Sequence, residues 1–92
     1  MFKFLVHENS DTVGVATEDI KADETAQGLF MDSQENIEMK ALSDIPLGHK
    51  IALTDFAVGD TVIKYGHDIG KVVADIKAGD HVHIHNLKTK RW

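Results

Sequence analysis

The segment Asp75-Ile-Lys-Ala-Gly-Asp-His-Val82 decides the fold, because its order of residue types returns three more times in the chain. Asp19-Ile-Lys-Ala-Asp-Glu-Thr-Ala26, Asp44-Ile-Pro-Leu-Gly-His-Lys-Ile51 and Asp55-Phe-Ala-Val-Gly-Asp-Thr-Val62 follow the same frame. Each reads Asp, a large apolar residue, two residues, a turn former, two residues, then an apolar or small residue. Glycine holds the turn position in three of the four, where a positive φ costs it little. The leading Asp suits a hydrogen bond to its own turn backbone. The copies start 25, 11 and 20 residues apart, too irregular for a solenoid. The frame predicts four similar turn-to-strand entries in one small β domain.

The segments around these turns agree. Phe2 to His7, Thr12 to Thr17, Gln27 to Met31, Ile37 to Leu42, Lys50 to Leu53, Thr61 to Tyr65 and Lys71 to Ala74 are short runs rich in β-branched or apolar residues. No stretch keeps an amphipathic helical period for three turns, and the best helix candidate, Asp19 to Gln27, is short. Short, closely spaced strands predict a mostly β fold, a small barrel or β-clip with little helix.

The whole chain bounds the function. Its 92 residues, 10.2 kDa, predict one domain spanning 1–92. A 42% hydrophobic and 27% charged composition is that of a globular protein rather than a disordered one. With no cysteine, disulfides, thiolate metal sites and a cysteine nucleophile are excluded. A net charge of −5 argues against a general nucleic-acid binder, and no apolar run reaches membrane-spanning length. The opening Met1 to His7 is too short for a signal peptide, so a cytoplasmic location is expected. A core this small encloses no drug-sized cavity alone, so an enzymatic role predicts a partner chain that supplies part of the site.

Charge is uneven. Residues 1–44 carry three lysines against ten acids; residues 45–92 carry seven bases against five acids and five of the six histidines. The basic end, Lys88-Thr-Lys-Arg-Trp92, suits attraction of a small anion, with Lys88 a candidate substrate-binding residue.

The sharpest chemical feature is His81-Val-His-Ile-His-Asn86. On a strand His81, His83 and His85 share one face, opposite Val82 and Ile84. Three such residues in a straight strand span roughly 13 Å, so at most two meet one metal ion. Further ligands would come from Asp11, His7, His49 or another chain. Imidazoles here also suit hydrogen bonding to an anionic substrate or proton transfer. Gly48-His49-Lys50 presents an imidazole and an ammonium together at a glycine turn. His7 precedes the polar loop Glu8-Asn-Ser-Asp11. No phosphate-binding glycine loop, dinucleotide fingerprint, His-Glu-x-x-His motif or nucleophile elbow is present.

Five segments together resemble the N-terminal SAF-type domain of the altronate and galactarate dehydratases. They are Phe4-Leu-Val-His-Glu-Asn-Ser-Asp-Thr-Val-Gly-Val-Ala16, Ile45-Pro-Leu-Gly-His-Lys-Ile-Ala-Leu53, Val62-Ile-Lys-Tyr-Gly66, Asp68-Ile-Gly70 and His81-Val-His-Ile-His-Asn86. The resemblance implies a β-clip fold. It also implies lyase chemistry: a proton is removed α to a carboxylate and a β leaving group departs. In the sugar-acid dehydratases that group is water, and in the similar small subunits of sulfolactate-cleaving lyases it is sulfite. The implied substrate is a small anionic hydroxy acid, the implied cofactor a divalent metal, foremost iron, and the implied partner a large catalytic subunit without which the chain is inactive. Carried over by position, His49, His83 and His85 are catalytic candidates, Lys50 and Asn86 join Lys88 as substrate-binding candidates, and His7, Asp11, His83 and His85 are metal candidates. A split altronate-type dehydratase subunit and a non-enzymatic binding or assembly module are the alternatives.

Overall fold

The computed structural model describes residues 2–64, 67–83 and 85–88. Nine strands are present among them and no helix. Six form one sheet in the order β4 (Asn36–Lys40), β3 (Thr25–Phe30), β1 (Phe4–Val6), β2 (Val13–Ala16), β5 (Lys50–Ala52) and β8 (His81–Val82). The others, β6 (Thr61–Lys64), β7 (His67–Val72) and β9 (Leu87–Lys88), make a three-stranded sheet. The mostly β expectation therefore holds. The helix candidate Asp19 to Gln27 is a turn running into β3 instead, with Asp23 at φ 71° where a helix needs negative φ. Tyr65 of the sixth expected strand, Ile84 of the histidine segment and Thr89 to Trp92 of the basic end lie outside the described residues.

The four copies of the frame pair off as two pseudo-symmetric couples. Ile20 bridges Ile45, and Phe56 bridges Ile76. The leading aspartates do not bond their own turns, as the sequence had suggested. Each reaches across to its partner's. Asp44 accepts from Ala22 N–H (2.8 Å) and Asp19 from Leu47 N–H (2.9 Å); Asp55 accepts from Ala78 N–H (2.7 Å) and Asp75 from Val58 N–H (3.3 Å). The turn position has positive φ in all four, through Asp23, Gly48, Gly59 and Gly79. Each turn also closes through the same backbone bond, the sixth residue's N–H to the third residue's carbonyl.

Each couple packs its own core. Phe4, Val6, Ala16, Ile20, Ala26, Ala41, Ile45 and Ile51 form one; Val13, Ala52, Phe56, Val62, Val72, Ile76, Val82 and Leu87 form the other. Strands β2 and β5 serve both, because side chains alternate: Ile51 enters the first core and its neighbour Ala52 the second. Thr12 ties the sheets together, its N–H donating to Ile63 carbonyl (2.9 Å) and its Oγ1 accepting from Ile63 N–H (3.0 Å). The candidate site sits where the shared strand β5 begins.

Candidate functional site

Three of the four turns put an acid at the sixth position, and there the acid has local work. Glu24 accepts from Lys21 N–H (3.1 Å), Asp60 from Ala57 N–H (2.8 Å) and Asp80 from Lys77 N–H (2.9 Å). In the second copy the third residue is Pro46, which has no N–H to satisfy. The sixth position there needs no acceptor, and it holds His49. Proline at one position thus frees the other for a functional side chain.

His49 is carried directly to the histidine segment. Strand β5 pairs antiparallel with β8, Lys50 opposite Val82 and Ile51 opposite His81, which brings His83 level with His49. His49 Nδ1 lies 2.8 Å from His81 Nε2, a hydrogen bond in which one ring donates and the other accepts. The rings of His49 and His83 stack with centroids 4.2 Å apart, and those of His81 and His85 lie 5.2 Å apart. One ring nitrogen from each of His49, His81 and His83 lies within 4.8 Å of the others. All three side chains are half-buried.

The segment does not run as a straight strand, and this changes its geometry. Strand β8 ends at Val82, and His83 enters a turn in which its carbonyl accepts from Asn86 N–H (3.1 Å) and Leu87 N–H (2.9 Å). Asn86 fastens that turn: its Oδ1 accepts from His83 N–H (3.0 Å) and its Nδ2 donates to His81 carbonyl (2.8 Å). Only 5% of Asn86 is exposed, so both polar ends of the expected substrate-binding residue are engaged inside the turn. Ser43 Oγ accepts from His81 N–H (3.1 Å) and anchors the start of the segment.

The site is cationic in potential and short of proton partners. Burial lowers the pKa of His81 from its ordinary value, and repulsion from His49, His85, His83 and Lys50 adds to this. His83 is lowered by the same causes, its partial desolvation first and then His49, Lys50 and His85. Burial, then repulsion from Lys64, lowers the pKa of Lys50. His81 and His83 are therefore neutral near pH 7, with lone pairs available to a proton or a metal, beside an ammonium that favours anions.

The remaining sequence candidates fall elsewhere. His85 is exposed beside His81 and outside the three-nitrogen cluster. Lys88 is exposed on β9, opposite Lys71 in the smaller sheet. His7 and Asp11 are not brought to the histidines. Phe4 pairs with Ala16 and Val15 with Lys50, so His49 lies at the opposite end of the β1–β2 hairpin from the loop between those strands. By that register His7 is about 10 Å along the strands from His49 and about 10 Å across two of them. Asp11 is 5% exposed in the loop, where its Oδ2 accepts from Glu8 N–H. The expected metal set of His7, Asp11, His83 and His85 is thus not assembled; the set that converges is His49, His81 and His83. A straight-strand reading left His81 out, although the i, i+2 alternation had placed it on the same face.

The cluster's chemistry fits the divalent metal that the family resemblance implies. Imidazole suits first-row transition ions rather than magnesium or calcium, and neutral rings keep their lone pairs for it. No carboxylate joins the three histidines among the described residues.

Comparison with known proteins identifies the relatives of the chain. The model of the altronate/galactarate dehydratase SAF domain matches residues 2–90. The chain is 47% identical over 90 residues to the alpha subunit of (2R)-sulfolactate sulfo-lyase from Chromohalobacter salexigens, covering 97% of this chain and 96% of that one. It is 58% identical over 57 residues to the alpha subunit of the same-named enzyme from Paracoccus pantotrophus, covering 62% and 85%. It is also 47% identical over 79 residues to altronate dehydratase of Escherichia coli, covering 86% of this chain but 15% of that one. These relatives are lyase and dehydratase enzymes or their subunits, and in the altronate dehydratase the matched region is a small part of a much longer chain.

Proposed function

Because the chain belongs to the altronate/galactarate dehydratase SAF-domain family, we propose that it is the small subunit of a lyase that cleaves (2R)-sulfolactate to pyruvate and sulfite. The observation that carries the reading is the half-buried cluster of His49, His81 and His83 beside Lys50, in a chain that matches a sulfo-lyase alpha subunit along nearly its whole length.

The reaction makes two demands that these residues suit. Removal of the proton α to the carboxylate needs a base that is unprotonated at working pH, and an imidazole with a lowered pKa, His81 or His83, meets that need. As the proton leaves, the C–H electrons form the carbon–carbon double bond and the carbon–sulfur pair departs with sulfite; the enol product then becomes pyruvate. The substrate carries a carboxylate and a sulfonate, for which Lys50 offers a nearby positive charge. If the histidines instead held a divalent metal ion, it would supply Lewis-acid polarisation of the carboxylate and hydroxyl, and the base would come from the partner subunit. A larger catalytic subunit covers the cluster, excludes water and completes the substrate pocket.

The test is reconstitution. The chain is mixed with the remaining subunit of a sulfolactate sulfo-lyase, and sulfite release from (2R)-sulfolactate is followed. Sulfite should appear only from the mixture. Full-rate release without this chain, or none with it, contradicts the reading. The second reading, an altronate-type dehydratase subunit, rests on the 47% identity to the Escherichia coli enzyme. Keto-acid formation from altronate by a pair that leaves sulfolactate untouched would select it.

A further inference from the structure

We propose that His49, His81 and His83 form a binding site for one divalent transition-metal ion that this chain builds unaided by another subunit. Family resemblance suggests a metal somewhere in the enzyme; the geometry assigns it a place and a ligand set. One nitrogen from each ring lies within 4.8 Å of the other two, and the His49 Nδ1 to His81 Nε2 distance is 2.8 Å. An ion bonded to imidazole nitrogens at about 2.0–2.1 Å holds adjacent ligand atoms about 3–3.4 Å apart. Closing the set therefore needs side-chain rotation, not movement of the strands. The hydrogen atom now shared between His49 and His81 moves to the far nitrogen of its own ring when the ion enters, so no proton need be lost.

The supporting structure is already in place. His49 is held by the Pro46 turn, whose backbone bond runs from His49 N–H to Pro46 carbonyl (2.9 Å). His81 is held by its pairing with Ile51 and by Ser43. His83 is held by Asn86, which also grips the His81 carbonyl. Asn86 is thus a positioning residue: it sets the angle between two ligands and touches neither ring nitrogen. Three imidazoles with no carboxylate select cobalt, nickel, zinc or ferrous iron over magnesium or calcium. The proposal deepens the lyase reading, but it can fail or stand separately from it.

The test is titration of the full chain, without partner, with Co²⁺ at pH 7.5, read by visible d–d absorption. One ion per chain should bind, displaced by Zn²⁺ and not by Ca²⁺ or Mg²⁺. His49→Gln and His81→Ala should each weaken binding at least tenfold with the β circular-dichroism spectrum unchanged. His67→Ala, at the exposed start of β7, should have no effect. Asn86→Ala should weaken binding about 10- to 100-fold, as loss of a ligand-orienting partner does, and shift the d–d bands of the ion that still binds. Absence of d–d bands in the folded wild type, or bands unchanged in both His49→Gln and His81→Ala, overturns the proposal. Sulfite release by the reconstituted pair is read independently. Activity without metal binding to this chain sinks the site and spares the lyase reading; metal binding without activity does the reverse.

Discussion

The turn at Asp44–His49 and the turn at Asp75–Asp80 share a frame and differ in purpose. Both begin with an aspartate that caps the opposite turn, both put a positive-φ glycine fifth, and both close with the same backbone bond. In the second of them the sixth residue, Asp80, accepts from Lys77 N–H. In the first, Pro46 removes that donor, and His49 turns to His81 instead. The difference teaches how a structural repeat becomes a site: the scaffold is kept, and one local obligation is deleted to release one side chain.

The comparison breaks hardest at His49. His49→Ala should lower sulfite release by the reconstituted enzyme by about 10²- to 10⁴-fold, the usual weight of a proton-transfer or ligand group. His49→Asp, which copies the other turns, should be as inactive, since the imidazole that meets His81 and His83 is gone. Wild-type thermal unfolding in both variants would confirm that the loss is chemical. A variant retaining more than a tenth of the activity would contradict the role.

The glycines sharpen it next. A Cβ on Gly79 would run into the carbonyl of Lys40, whereas one on Gly48 or Gly59 meets open space. Gly79→Ala should cost about 2–5 kcal/mol, strain and overpacking together, against about 1–2 kcal/mol for Gly48→Ala. Denaturant unfolding of the pair gives the difference, and equal costs would mean the turns are not seated as described. The crossed aspartates come third. Asp55→Ala removes one acceptor from Ala78 N–H and should cost about 1 kcal/mol, near 4–8 °C in melting temperature.

The smallest effect concerns pH. His81 and His83 have pKa values lowered by folding, so the unfolded chain binds more protons than the native one below its ordinary histidine pKa. Their contribution to stability should be constant above about pH 6.5 and fall as pH drops below it. His81→Asn should reduce that slope. Urea midpoints at a series of pH values read both.

Much of this was legible in the residues. The recurring Asp–apolar–x–x–Gly order announced the turns, and β-branched runs announced most strands. What failed did so for local physical reasons. Asp19 to Gln27 reads as a short helix because Ala22, Glu24 and Ala26 are good helix formers, yet Asp23 takes a left-handed turn and Thr25 to Phe30 pairs with both β1 and β4. The crossed aspartate caps join residues 22 to 28 apart or 17 to 23 apart in sequence, which no local pattern reveals. Strand periodicity placed His81, His83 and His85 on one face but also kept them in line. The bend at His83 depends on Asn86, a residue whose side chain commonly bonds nearby backbone, and that signal pointed to a turn. His7 and Asp11 were grouped with the histidines by residue type and by the family resemblance of their loop; strand register separates them.

The joining of His49 to the histidine segment is tested most directly by NMR on the isolated chain with labelled imidazoles. Ring-to-ring Overhauser contacts are expected from His49 to both His81 and His83, whose centroids lie 5.0 and 4.2 Å away. A well-folded spectrum in which His49 shows contacts to neither ring would contradict a shared site.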